Sequence, residues 1–207
     1  FDSLPKEYSH LYLAIEGKLA AVICVEDPLR EEAADAVREL KEAGITKVVM
    51  MTGDSERTAA AIAKRVGVDE YYSEVLPEDK ASFVEKEKEL GHKVIMIGDG
   101  INDSLALSSA SVGIAISDGA AIAREIADVT ISADNLHEIV TLKRLSTALM
   151  KRIHNNYRTI IGINGGLIAL GVTGIIMPTT SALLHNMSTL TISLRSMRNL
   201  LPKEEEA

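Results

Sequence analysis

Lys93-Val94-Ile95-Met96-Ile97-Gly98-Asp99-Gly100-Ile101-Asn102-Asp103 begins as an apolar, β-like run. It halts at two glycines and then places two carboxylates four residues apart. Side chains at that point stand at the carboxyl end of a buried strand, where open α/β sheets build their sites. Two carboxylates and an amide there suit a hard cation such as Mg²⁺, which prefers oxygen ligands and bridges readily to a phosphate. A surface turn rich in Gly, Asn and Asp has the same composition, so the loop needs partners to mean more.

The chain on either side supplies a frame. Leu11 to Ile15 and Leu19 to Val25 read as short strands joined at Glu16-Gly17-Lys18. Asp27-Pro28 opens a helix with apolar Ala33, Ala36, Val37 and Leu40, closed by Gly44. Lys47 to Met51 is a strand ending at Thr52-Gly53-Asp54. A helix follows over Ser55 to Val66, then a short strand at Tyr71 to Ser73. Leu76-Pro77-Glu78-Asp79-Lys80 opens another helix, which leads into the Lys93 strand. Beyond the carboxylate loop come a helix from Ser104, a strand at Val112 to Ile116, a helix over Ala120 to Ile126 and a strand at Val129 to Ser132. Strands alternating with helices imply parallel pairing, so the expected fold is an α/β open parallel sheet with helices on both faces.

Bulk properties narrow the function. The 207 residues have a net charge of −8, which excludes the clustered basic surface of a nucleic-acid binder. With 3% aromatics the core must be aliphatic. The single Cys24, inside an apolar run, is expected to be a buried small residue, and one cysteine excludes a disulfide framework. The chain starts at Phe1 and reads as part of something longer.

After Asp134 the pattern changes. Leu142, Leu145, Leu149 and Ile153 form a helical stripe beside Lys143, Arg144, Lys151 and Arg152. Thr159 to Met177 is a run of 19 residues without a charge, long enough to cross a bilayer as a helix. Its five glycines suit close packing in lipid; in water each would weaken a helix by up to about 1 kcal/mol. Pro178-Thr179-Thr180 is read as a turn, and Ser181 to Leu194 as a second apolar stretch. Arg and Lys outside both ends place those ends in the cytoplasm. The division expected is residues 17–135 for the α/β domain, 136–156 for an amphipathic connecting helix, 157–201 for a transmembrane helical hairpin and 202–207 for an acidic tail.

Three loops converge at the strand ends: Thr52-Gly53-Asp54, Lys80, and Asp99 with Asn102 and Asp103. A hydroxyl for a phosphoryl oxygen, a cation to neutralise it and a carboxylate pair for Mg²⁺ form a phosphoryl-transfer set. Singly, Thr52 reads as a turn cap and Lys80 as a solvated lysine; the ordered set is what carries the reading.

Met51-Thr52-Gly53-Asp54, Leu76-Pro77-Glu78-Asp79-Lys80 and Gly98-Asp99-Gly100-Ile101-Asn102-Asp103 resemble, in order and spacing, the phosphorylation-domain motifs of P-type ATPases, within the haloacid dehalogenase superfamily. Asp27-Pro28-Leu29-Arg30 resembles the hinge motif that precedes them. Residues 1–16 resemble the trailing edge of that family's nucleotide-binding domain. The resemblance implies that Thr52 and Lys80 contact an aspartyl phosphate. It further implies that Asp99 ligates Mg²⁺, Asp103 and Asn102 orient the metal, and Gly53, Asp54 and Asp27 support the nucleotide and hinge region. Leu105 stands where the family usually has Pro. No Asp-Lys-Thr-Gly-Thr occurs in the chain, so the phosphorylated Asp is expected upstream and this segment alone should not form a phosphoenzyme.

A final hairpin of two spans resembles the heavy-metal branch. This implies an ATP-driven exporter of a divalent cation such as zinc, cadmium, cobalt or manganese, embedded in the plasma membrane with further upstream helices. ATP would be held mainly by a domain outside these residues. Polar groups in a span are functional candidates, and His185 with Asn186 and neighbouring hydroxyls could ligate a borderline divalent ion. The plainer reading is that His185 hydrogen-bonds another helix, and Asn164 reads as helix packing. A membrane-anchored phosphohydrolase of the same superfamily would need an early nucleophilic Asp, for which Asp27, followed directly by Pro28, is the sole candidate. A non-catalytic membrane regulatory protein is opposed by the intact Thr52, Lys80, Asp99 and Asp103 set.

Overall fold

The structure is a computed structural model that describes residues 8–25, 29–98, 101–116, 125–131 and 135–201. It divides into two compact units, Phe1–Val140 and Thr141–Ala207.

The first unit opens with an antiparallel hairpin, β1 (Ser9–Ile15) and β2 (Lys18–Val25), turned at Glu16 (φ 52°) and Gly17 (φ 76°). Two successive residues with positive φ make the tight turn that matches strand twist. Helix α1 (Ala33–Glu42) follows, then β3 (Val49–Met51), α2 (Glu56–Val66), β4 (Glu70–Tyr72) and α3 (Pro77–Glu89). Ser55 caps α2 and Gly67, at φ 79°, ends it, the polar start and left-handed stop that helix ends favour. Strand β5 (Ile95–Gly98) leads through a 3₁₀ turn at Ile101–Asp103 into α4 (Ser104–Ser109), β6 (Val112–Ile116) and β7 (Val129–Ile131). The expected helix over Ala120 to Ile126 lies almost wholly outside the described residues.

All central pairing is parallel, as the alternation requires, but it forms two sets: β3 with β4, and β5–β6–β7. Among the described residues no strand joins them, so β3 and β5 each keep an unpaired edge. Ile95, in a strand whose sequence reads as buried, is 41% exposed. Cys24 is exposed too, correcting its expected burial. Leu11, Leu13, Ile15, Leu19 and Ile23 in the same hairpin are also half exposed or more. The apolar composition was read correctly, but no layer among the described residues covers that hairpin. The best-covered core is where α3 and α4 meet β6, at Val84, Ala106, Leu107, Ile114 and Ala115. Lys88 Nζ donates to the Ser109 carbonyl and Ser109 Oγ to Glu85, tying α3 to α4.

Helix α5 (His137–Val172) begins in the first unit and occupies much of the second, followed by α6 (Pro178–Ser196). The connecting helix and the first apolar segment are thus one uninterrupted helix of 36 residues. The turn lies at residues 173–177, where Gly174 has φ 73°; Pro178 opens α6 instead of making the turn, since its fixed φ suits a first helical position. Within this unit Asn156 Nδ2 donates to Ser196 Oγ (2.7 Å), and Arg152 donates to the carbonyls of Ser196, Arg198 and Asn199. These bonds make α5 and α6 an antiparallel hairpin and place a cation on the free carbonyls at the end of α6. Among the described residues no helix is long and apolar enough to cross a membrane. The uncharged run Thr159–Met177 is cut by the turn, so only Thr159 to Val172 is helical, about 21 Å of rise against a hydrocarbon core of about 30 Å.

Candidate functional site

Lys80 and Asp103, far apart in sequence, meet at 2.8 Å (Nζ to Oδ1), with side chains only 15% and 10% exposed. Each is placed by a helix start. Lys80 sits in the first turn of α3, which Pro77 pre-sets and where Asp79 accepts from the Leu76 N–H at 3.1 Å. Asp103 stands at the junction of the 3₁₀ turn and α4. The carboxylate lies against Gly98 so closely that a Cβ on Gly98 would fall 2.6 Å from the Asp103 Cβ. Glycine is therefore a spatial requirement at the end of β5, not merely a turn residue.

At the end of β3, Thr52 Oγ1 donates to Asp54 Oδ2 (2.6 Å) and accepts from the Asp54 N–H (3.1 Å). Thr52 is half-buried, while Gly53 and Asp54 are exposed. A Cβ on Gly53 would meet nothing nearer than the Val75 carbonyl at 3.9 Å, so the backbone here is open to a ligand. Thr52 and Lys80 are each held by a carboxylate. The Thr52 hydroxyl must release Asp54 to donate to a phosphoryl oxygen. The Lys80 ammonium has three donors and gives one to Asp103, leaving capacity for an anion. Asn102 is exposed beside this pair. Asp99, Gly100, Asp27 and Pro28 lie outside the described residues.

The donor chemistry fits Mg²⁺. Asp103 offers a hard oxygen, and Asp99 follows the same strand in sequence. Among the described residues no group of three or more His, Cys, Asp or Glu side chains is gathered.

Sequence reasoning missed the supports of the Thr52 loop. Glu56, in the first turn of α2, accepts from Tyr71 Oη (2.8 Å) and Ser73 Oγ (2.5 Å). The Ser73 bond, then the Tyr71 bond, holds its carboxyl below the usual range. Nothing in the spacing of residues 56, 71 and 73 signals such a contact, because it depends on how β4 pairs with β3.

In the hairpin, His185 Nδ1 lies 2.9 Å from Asn164 Oδ1. Both line a groove of about 660 Å³ with Ser181, Asn186, Leu167 and Val172.

A family model described as haloacid dehalogenase-like hydrolase matches residues 2–111, more than half of the chain. The chain belongs to the haloacid dehalogenase-like hydrolases. Within that family it is 37% identical over 189 residues to a zinc-exporting P-type ATPase of Mycobacterium marinum, an alignment covering 91% of the chain and 26% of the relative. It is 44% identical over 176 residues to copper-transporting ATPase 2 of Rhizobium meliloti, covering 85% of the chain and 21% of the relative. The crystal structure of a zinc-transporting PIB-type ATPase in the E2.Pi state superposes with a TM-score of 0.83 at 31% identity, over 95% of the chain and 32% of that protein. The chain thus spans about a quarter of the length of the curated relatives it matches. The homologues over most of this hydrolase chain are heavy-metal P-type ATPases.

Proposed function

We propose that this chain is the phosphorylation domain and terminal helical hairpin of an ATP-driven heavy-metal exporter that works through an aspartyl phosphate. The observation that carries the reading is the Lys80–Asp103 contact over Gly98, at the end of a parallel strand. A largely buried cation that keeps free donors beside a carboxylate answers the charge of a phosphoryl group. Thr52 and Lys80 are its contacts, and Gly53 and Asp54 shape the loop. Asp99 and Asp103 would hold Mg²⁺, with Asn102 on its waters, and the ion would supply charge neutralisation at the phosphoryl oxygens. ATP would be bound mainly by residues beyond this chain. The unpaired edges of β3 and β5 leave room in the hydrogen-bonding scheme for a further strand, the natural carrier of the nucleophilic Asp.

The hairpin is the membrane-embedded part, with its ends and the α/β domain on the cytoplasmic side. Support comes from the apolar side chains it leaves exposed, among them Ile161, Ile168, Val172 and Leu190. Short helices with polar residues are tolerated at membrane depth where other helices cover them, so upstream helices belong in this reading. His185, which lines the groove, would be a ligand for a borderline divalent cation such as zinc, cobalt or manganese.

The test uses the full-length pump. Asp99→Ala should abolish Mg²⁺-dependent phosphoenzyme formed from labelled ATP; a wild-type level in that variant removes the metal role.

A further inference from the structure

Thr52 is the one proposed phosphoryl contact that sits on a loop rather than in a helix, and that loop is held by the end of β4 and the residues that follow it. The Thr52 N–H donates to the Tyr72 carbonyl (3.0 Å), the Val75 N–H to the Thr52 carbonyl (3.0 Å), and the Glu74 N–H to the Asp54 carbonyl (2.9 Å). The geometry of residues 52–54 is thus copied from that of residues 72–75. That segment contains Glu74 at φ 52°, a left-handed conformation that non-glycine residues rarely adopt. Something must hold it there.

The structure assigns this task to Glu56: we propose that it is a positioning residue, whose two carboxylate oxygens clamp Tyr71 and Ser73 and so fix the Thr52–Asp54 loop for a phosphoryl group. Oε1 takes the Tyr71 hydroxyl at 2.8 Å and Oε2 the Ser73 hydroxyl at 2.5 Å, so each oxygen is spent on one side of Tyr72. Tyr72 is the residue whose carbonyl receives the Thr52 N–H. Glu56 is itself fixed, because it stands one residue after the Ser55 cap on α2, and α2 begins directly after the loop. The start of α2 and the end of β4 are therefore tied at one carboxylate, and the Thr52 N–H joins the end of β3 to them. A residue bound to two hydroxyls, with no reach to the phosphoryl position claimed for it, acts through Thr52 and not on the reacting atoms. The inference rests on the reading of Thr52 as a phosphoryl contact.

The test uses the full-length pump and orthovanadate, which imitates a phosphoryl group at such sites. Glu56→Ala should raise the vanadate concentration for half-inhibition of metal-stimulated ATPase by about tenfold, a misplacement effect that acts at a distance. The KM for ATP should stay near wild type. Glu56→Gln should restore most of the sensitivity, since its amide can accept from one hydroxyl and donate to the other. A Tyr71→Phe, Ser73→Ala double variant removes only the two hydroxyls and should reproduce Glu56→Ala, which keeps the proposal testable if Glu56→Ala folds poorly. Unchanged vanadate sensitivity in the double variant overturns the positioning role while leaving the pump reading intact. A wild-type protein whose ATPase ignores vanadate overturns both.

Discussion

The Thr52 loop and the Lys80–Asp103 pair, on one side, and the helical hairpin from Thr141 onward, on the other, treat their side chains in opposite ways. In the first region polar groups are matched to one another: hydroxyl to carboxylate, ammonium to carboxylate, and both oxygens of Glu56 to hydroxyls. In the second, apolar groups are left open, with Ile168 67% and Val172 84% exposed. Charge follows the same division. Residues 141–201 contain no Asp or Glu at all, whereas the first unit holds nearly every carboxylate of an acidic chain. Polar groups already matched to one another can be read as chemistry from the residues at hand. An apolar surface without cover is incomplete, and what it lacks is an environment, not a residue.

The largest expected effect breaks or keeps that contrast. Ile168→Asp, at a face open in the hairpin, should lower membrane integration of the full-length protein by about 3 kcal/mol if lipid or neighbouring helices cover it. Leu90→Asp, at a similarly open position (63% exposed) at the end of α3, should change stability by no more than about 0.5 kcal/mol, as water-facing substitutions do. The fraction of protein in the membrane pellet after alkaline extraction reads the first, and a denaturant melt of the α/β unit the second. Equal tolerance of both would make the hairpin an ordinary wet surface.

A smaller effect sharpens the polar side. Gly98→Ala puts a methyl 2.6 Å from the Asp103 Cβ and 2.8 Å from its Cγ and Oδ2. Forcing an extra carbon into such a place costs about 1–3 kcal/mol. The variant should melt lower and also lose phosphoenzyme, because relief of the clash moves the carboxylate that Lys80 holds. A variant that melts lower with full phosphoenzyme would separate the glycine's packing role from the site.

Much of this was legible in the sequence, for a physical reason that differs from place to place. Ser55 and Gly67 announce the ends of α2 by cap chemistry, and Pro77 announces α3, because these effects act within a turn of chain. Thr52, Lys80 and Asp103 were legible as an ordered set, and the structure brings Lys80 and Asp103 into contact. Glu56 with Tyr71 and Ser73, or Lys41 with Asp69, left no trace, since contacts across 15 to 28 residues depend on strand pairing. Cys24 and Ile95 misled because an apolar run states only that cover is needed. The turn at Gly174 misled in another way: hydropathy measures the length of an uncharged run and is blind to a left-handed glycine that ends the helix inside it.

The smallest expected effect concerns acid, and it falls on one region alone. Asp69 accepts from Lys41 Nζ and from the Val48 N–H, both at 2.7 Å, linking α1 to the approach of β3. The Lys41 bond first, and the Val48 bond second, hold its carboxyl below the ordinary value. A carboxylate with a folded pKa below its unfolded value of about 3.9 binds fewer protons when folded. Its contribution is therefore present above that unfolded value and fades as pH falls through the folded one. Glu56 and Glu70 are depressed as well, Glu70 chiefly by Lys47, so the wild-type α/β unit should weaken from about pH 4 downward. Asp69→Asn keeps the shape and the Val48 bond but loses the charge. Its deficit in denaturant midpoint should be largest at pH 7 and shrink towards pH 3; a deficit equal at both would show that Asp69 acts through shape alone. The helical signal of the hairpin should not move between pH 5 and pH 3, for in residues 141–201 there is no carboxylate to titrate.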